Sequence, residues 1–70
     1  MTAQQMFEEL GYEKASENEN GILYSDIFSQ VAFFKKDKKY GVYTIMKKFK
    51  VSTNLHKAIH QQLKELGWIE

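Results

Sequence analysis

The chain contains no cysteine, no proline and no arginine. Without cysteine, no disulfide can staple a domain of 70 residues, so its stability must come from burial. The same absence fits a reducing compartment. Without proline, nothing inside the chain forces a helix or strand to stop. All ten basic residues are lysines. Lysine is a hydrated point charge, whereas arginine supplies the planar fork that reads guanine and phosphate, so recognition of a nucleic-acid sequence is disfavoured. Long apolar runs are also missing. The longest, Val31-Ala32-Phe33-Phe34, suits a buried strand and falls far short of a bilayer span. No stretch reads as a signal peptide. These absences lead us to expect one soluble cytoplasmic domain over residues 1–70, with no membrane partner.

What is present is a strong helix signal near each end. Leu55, Ala58, Ile59, Leu63 and Leu66 recur at spacings of three and four and form one apolar stripe. Ser52 is placed to cap the first turn, Gly67 to end the helix in the left-handed conformation, and Trp68 to fold back on Leu63. Lys57, Gln61 and Lys64 fall on the wet side. At the front, Thr2 and Gln5 have the spacing of a capping box, and Ala3, Met6, Phe7 and Leu10 make an apolar face. Glu9-Leu10-Gly11-Tyr12 echoes Glu65-Leu66-Gly67-Trp68, which we read as shared stop chemistry and not as a repeat.

Between the helices, Asn18-Glu19-Asn20-Gly21 is a turn signal, since Asn and Gly tolerate positive φ. Ile22–Ser25, Gln30–Lys35 and a segment from Tyr40 to about Lys48 are rich in β-branched and aromatic residues and read as strands. Residues 13–17 read as an edge strand or a loop. The expected fold is a two-layer α+β domain of order α-β-β-β-α, an antiparallel meander with both helices on one face. Alternation puts Ile22, Tyr24, Val31, Phe33, Tyr43 and Ile45 on the helix side, with Phe49 and Val51 following. Leu23, Ala32, Phe34 and Met46 are left on the far face, more apolar surface than a wet face needs.

Few constellations bear on chemistry. His56 and His60 share a helix face at a spacing that can offer two metal ligands, but no His-Glu-x-x-His motif or third ligand accompanies them. The plainer reading is two polar residues bordering the stripe. Glu8 and Glu9 are adjacent and cannot share a face, and no serine sits in a nucleophile elbow. We expect no enzyme, metal or cofactor. Charge is segregated, however. Residues 1–26 carry six acids against Lys14, and residues 27–51 carry seven lysines against Asp37. Lysines interleaved with Phe33, Phe34, Tyr40, Tyr43 and Phe49 suit phosphates and stacked bases, so Lys35, Lys36, Lys38 and Lys39 are candidate nucleic-acid contacts. The plainer reading is lysines guarding strand edges against aggregation.

Two resemblances follow from these residues. The order α-β-β-β-α is similar to that of double-stranded-RNA-binding domains. Their Lys-Lys-x-Ala-Lys cluster is absent, because the last helix opens Ser52-Thr53-Asn54-Leu55-His56-Lys57-Ala58. That function is therefore not carried over. Met6-Phe7-Glu8-Glu9-Leu10-Gly11-Tyr12-Glu13 and the segment from Leu55 to Trp68 resemble the ends of small proteins of phages and prophages of Gram-positive bacteria. Asn18-Glu19-Asn20-Gly21-Ile22-Leu23-Tyr24 matches their polar turn and Ile-x-Tyr strand. The resemblance implies a phage-borne accessory protein in the host cytoplasm, with no catalytic residues to transfer. Combined with the surplus apolar face, the expectation is an interaction module. Its surface would include Leu23, Phe34 and Met46, and its partner would be a host or phage protein or a second copy of the chain. Nucleic-acid binding by the lysine-rich hairpin, residues 35–50, is the alternative.

Overall fold

Thr2 starts the first helix with both halves of a capping box. Its hydroxyl accepts from the Gln5 N–H at 3.2 Å, and its own N–H donates to the Gln5 side-chain carbonyl at 2.9 Å. The computed structural model describes residues 1–70 and runs α1 (Ala3–Glu9), β1 (Glu13–Asn18), β2 (Gly21–Ser25), β3 (Ser29–Phe34), β4 (Lys39–Thr44) and α2 (Thr53–Glu65). Ser52 caps α2 by accepting from the Leu55 N–H. Both helices end alike. The Tyr12 N–H donates to the Phe7 carbonyl and the Gly11 N–H to Glu8, while Trp68 and Gly67 do the same to Leu63 and Lys64. Gly11 and Gly67 have φ of 92° and 76°, the left-handed conformation this Schellman ending requires.

The strands form one antiparallel meander in the order β1-β2-β3-β4, making a small α+β domain. There are four strands and not three, because Glu13–Asn18 pairs with β2. It is an edge strand, bulged between Lys14 and Ser16, with polar residues and no apolar alternation to advertise it. The turn after it is held by the Asn18 side chain, which accepts from the N–H groups of Asn20 and Gly21. Gly21 does not have a positive φ. A Cβ there would stand 2.0 Å from the Phe33 carbonyl oxygen, so this glycine serves close approach of β2 to β3.

Ile22, Tyr24, Val31 and Phe33 point inward as expected and meet Ala3, Phe7, Tyr12, Leu55, Ala58 and Ile59 in one core. Phe7 is its centre. It stacks on Tyr24 at 4.0 Å and meets Tyr12 and Phe33 edge-on at 5.8 and 6.2 Å. The last strand is turned over relative to expectation. Val31 pairs with Val42 and Phe33 with Tyr40, so Tyr40, Val42 and Thr44 share the helix side, while Tyr43 and Ile45 are exposed. Both parities of Tyr40–Ile45 carry apolar residues, so alternation alone does not choose between them. Ring contact between Phe33 and Tyr40 at 5.8 Å accompanies the observed register. β4 also stops at Thr44, not Lys48. The Thr44 hydroxyl donates to the Phe28 carbonyl and accepts from the Met46 N–H, which bends the chain away. Phe49 returns to the core, but Val51 remains exposed. On α2 the buried line runs through Leu55, Ala58, Ile59 and Gln62, leaving Leu63 and Leu66 half-buried on its flanks.

Candidate interaction surface

The pairing register defines the sheet face that the helices leave uncovered. Ser16, Leu23, Ala32 and Gly41 form one row across the four strands; Asn18, Gly21, Phe34 and Lys39 form the next. Tyr43 pairs with Gln30 in the row on the other side. Its ring leans back over Gly41, where a Cβ would meet the Tyr43 hydroxyl at 2.7 Å. Leu23 and Ala32 are half-buried by their neighbours, whereas Phe34 and Tyr43 keep 42% and 53% of their surface open. Leu23, Ala32 and Phe34 also line a shallow depression of about 230 Å³. The result is an aliphatic floor between two exposed aromatic rings, bordered by polar side chains.

Met46 does not join this face. It lines a hollow at the end of the sheet with Leu10, Tyr12, Phe28, Phe49 and Leu55. Tyr43 takes the place expected of it, for the same reason that β4 is turned over. The lysines divide as well. Lys35, Lys36, Lys38 and Lys39 surround the β3–β4 turn, and Lys39 stands beside Phe34 in the ladder. Lys47, Lys48 and Lys50 follow Thr44, which pairs with Ser29 at the opposite end of the hairpin. The His56 and His60 rings lie 6.4 Å apart on exposed positions. No three His, Cys, Asp or Glu side chains gather where they could hold a metal ion.

Sequence reasoning passed over the β2–β3 turn. Asp26 and Ser29 close it, and Ile27 and Phe28 occupy its two central positions. The Asp26 carboxylate accepts from the Phe28 and Ser29 N–H groups, each at 2.7 Å, and from the Ser29 hydroxyl at 3.2 Å. A carboxylate only accepts, so the Ser29 proton goes to Asp26, and the buried Tyr12 hydroxyl donates to Ser29 Oγ at 2.6 Å. The spacing Asp26-x-x-Ser29 was the available signal, because Asp favours the first position of such a turn.

Elsewhere the polar groups serve the fold. The Lys14 ammonium binds Glu17 and, with its charge, holds that carboxyl below its usual range; Lys35 adds to the effect. The Glu65 carboxylate accepts from the Ala3 N–H at 2.7 Å and so ties the end of α2 to the start of α1. No helix is long and apolar enough to cross a membrane. Comparisons with protein-family models, curated proteins and solved structures gave no match to this chain.

Proposed function

We propose that the chain is a non-catalytic protein-interaction module that binds through the open face of its sheet. The observation that carries this reading is the placement of Leu23, Ala32, Phe34 and Tyr43 together on the face opposite both helices. Exposed aromatic residues around an apolar floor are the side chains that protein interfaces favour. The occupant is a second copy of the chain or another protein of the phage or host, in keeping with the resemblance of both chain ends to phage-borne accessory proteins. The test is sedimentation equilibrium over a wide concentration range, together with affinity capture from host lysate. Each is run on the native chain and on Phe34→Ser combined with Tyr43→Ser. Self-association or a captured protein should be lost in the double variant, whose exposed positions leave the core intact. A native chain that stays monomeric and captures nothing the double variant does not also capture refutes the proposal.

A second reading draws on Lys39 beside Phe34. With Lys35, Lys36 and Lys38 around the same turn, an exposed ring and nearby cations suit single-stranded nucleic acid bound without regard to sequence. Such binding weakens steeply with salt, with a slope of about 0.7 per contacted phosphate on a single strand. Titration of labelled RNA at low and moderate salt tests it. Loss on replacing these four lysines with Gln supports the reading, and absence of binding at low salt ends it.

A further inference from the structure

The β2–β3 turn presents the two residues least suited to its position. Central turn positions normally carry polar residues or glycine, yet Ile27 is 85% and Phe28 51% exposed. They are not loosely held. Asp26 binds the turn from within, Tyr12 braces Ser29 from the core, and the Phe28 carbonyl accepts from the Ile45 N–H and the Thr44 hydroxyl. Ile45, 79% exposed, and Met46 stand beside them, so one pole of the domain carries four projecting apolar side chains. Immediately after them come Lys47, Lys48 and Lys50, all exposed, and none has an ion-pair partner.

From this juxtaposition we propose that the pole docks on an anionic lipid surface. Ile27, Phe28, Ile45 and Met46 enter the boundary between headgroups and acyl chains, and Lys47, Lys48 and Lys50 lie against the headgroup phosphates. This surface adjoins the open sheet face at Tyr43, which lines one hollow with Ile27, Phe28 and Ile45, and it asks for no membrane-spanning segment. Three features select a lipid surface. A projecting tip fits a fluid boundary, which adapts to it, whereas a protein partner needs about 800 Å² of matched surface from each side. A second copy meeting pole to pole would crowd six lysines together. None of the three lysines is neutralised by an ion pair, and Asp26, the acid within the turn itself, is held by its own backbone N–H groups and the Ser29 hydroxyl.

The experiment is co-sedimentation of the full chain with vesicles of phosphatidylcholine alone and of phosphatidylcholine mixed with phosphatidylglycerol. The chain should partition onto the mixed vesicles, leave the neutral ones unbound, and dissociate as salt is raised. Replacing Ile27 and Phe28 together with Ser should lower partitioning at least about tenfold, since both apolar side chains leave the boundary. Each of Lys47→Gln, Lys48→Gln and Lys50→Gln should lower it about fivefold. Circular dichroism checks that these exposed substitutions leave the fold in place. Phe34→Ser, at the opposite end of the sheet, should keep vesicle binding, which separates this site from the open face. No partitioning onto mixed vesicles, equal partitioning onto neutral ones, or partitioning that survives the Ile27 and Phe28 substitutions overturns the proposal. So does an acidic protein held through the pole by a chain that leaves vesicles unbound.

Discussion

The Tyr24 hydroxyl donates to the Gln62 side-chain carbonyl at 2.6 Å, and both side chains are almost wholly out of water. This bond joins the middle of the sheet to α2. It also explains why a glutamine occupies a buried position where an aliphatic residue would otherwise fit: Tyr24 stacks on Phe7 with its body and needs an acceptor at its tip. Tyr24→Phe should leave the Gln62 carbonyl unmatched at a cost of about 1–3 kcal/mol, and Gln62→Leu should strand the hydroxyl at a similar cost. Tyr24→Phe combined with Gln62→Leu removes both partners and should cost clearly less than the two single changes together. Urea unfolding of the four proteins measures the coupling. Strictly additive costs would mean that the bond contributes nothing specific.

The same hydroxyl makes stability depend on alkaline pH. Burial, and then the negative charges of Glu65, Glu17 and Glu8, push Tyr24 up to about 12 from its ordinary 10. Below pH 10 the hydroxyl is protonated in the folded and unfolded chain alike, so its contribution is complete. Between 10 and 12 the unfolded chain gives up the proton that the folded chain retains, and stability falls. The informative quantity is the difference between the native chain and Tyr24→Phe, which isolates this hydroxyl from every other group. Urea midpoints recorded from pH 9 upward should fall more steeply for the native chain; parallel curves would contradict this assignment.

The helices were legible because their signals are local. A capping box, an apolar period and a glycine followed by an aromatic residue each act within a few residues, and all were in place at Thr2, Gln5, Gly11, Ser52 and Gly67. Strand β1 was only half legible, because an edge strand of charged and polar residues contributes backbone bonds and little burial. The facing of β4 was not legible. Tyr40 and Val42 compete with Tyr43 and Ile45 for the helix side, and only the pairing across β3 distinguishes them. That one inversion moved Tyr43 onto the open face. The turn at Ile27 and Phe28 escaped notice because apolar residues in a turn run against the usual composition of turns.

Gly21 and Gly41 should respond differently to a methyl group. At Gly21 the added carbon meets the Phe33 carbonyl oxygen at 2.0 Å and carbonyl carbon at 3.1 Å, backbone atoms fixed by the ladder. β2 and β3 would have to separate, and Gly21→Ala should cost about 1–3 kcal/mol, as overpacking does. At Gly41 the nearest atoms to the added carbon belong to the Tyr43 ring, the end of an exposed side chain that can swing aside. Gly41→Ala should therefore change stability little while reshaping the open face. Thermal unfolding of the two variants decides the point, and an equal loss in both would contradict it.

The β3–β4 turn stores strain at Lys38, which has a φ of 53° with no glycine to ease it. An L-residue in the left-handed region places its Cβ too close to its own carbonyl oxygen, at a cost of about 1–2 kcal/mol. Glycine avoids that contact but loses more conformational freedom on folding, which takes back part of the gain. Lys38→Gly should therefore stabilise the domain by about 0.5–1 kcal/mol, a net of these two effects. Lys38→Ala keeps the Cβ and so keeps the strain, and it separates the backbone effect from the loss of charge beside Lys36 and Lys39. If the two variants have the same urea midpoint, the gain comes from relieved charge crowding; a higher midpoint for Lys38→Gly alone assigns it to the backbone.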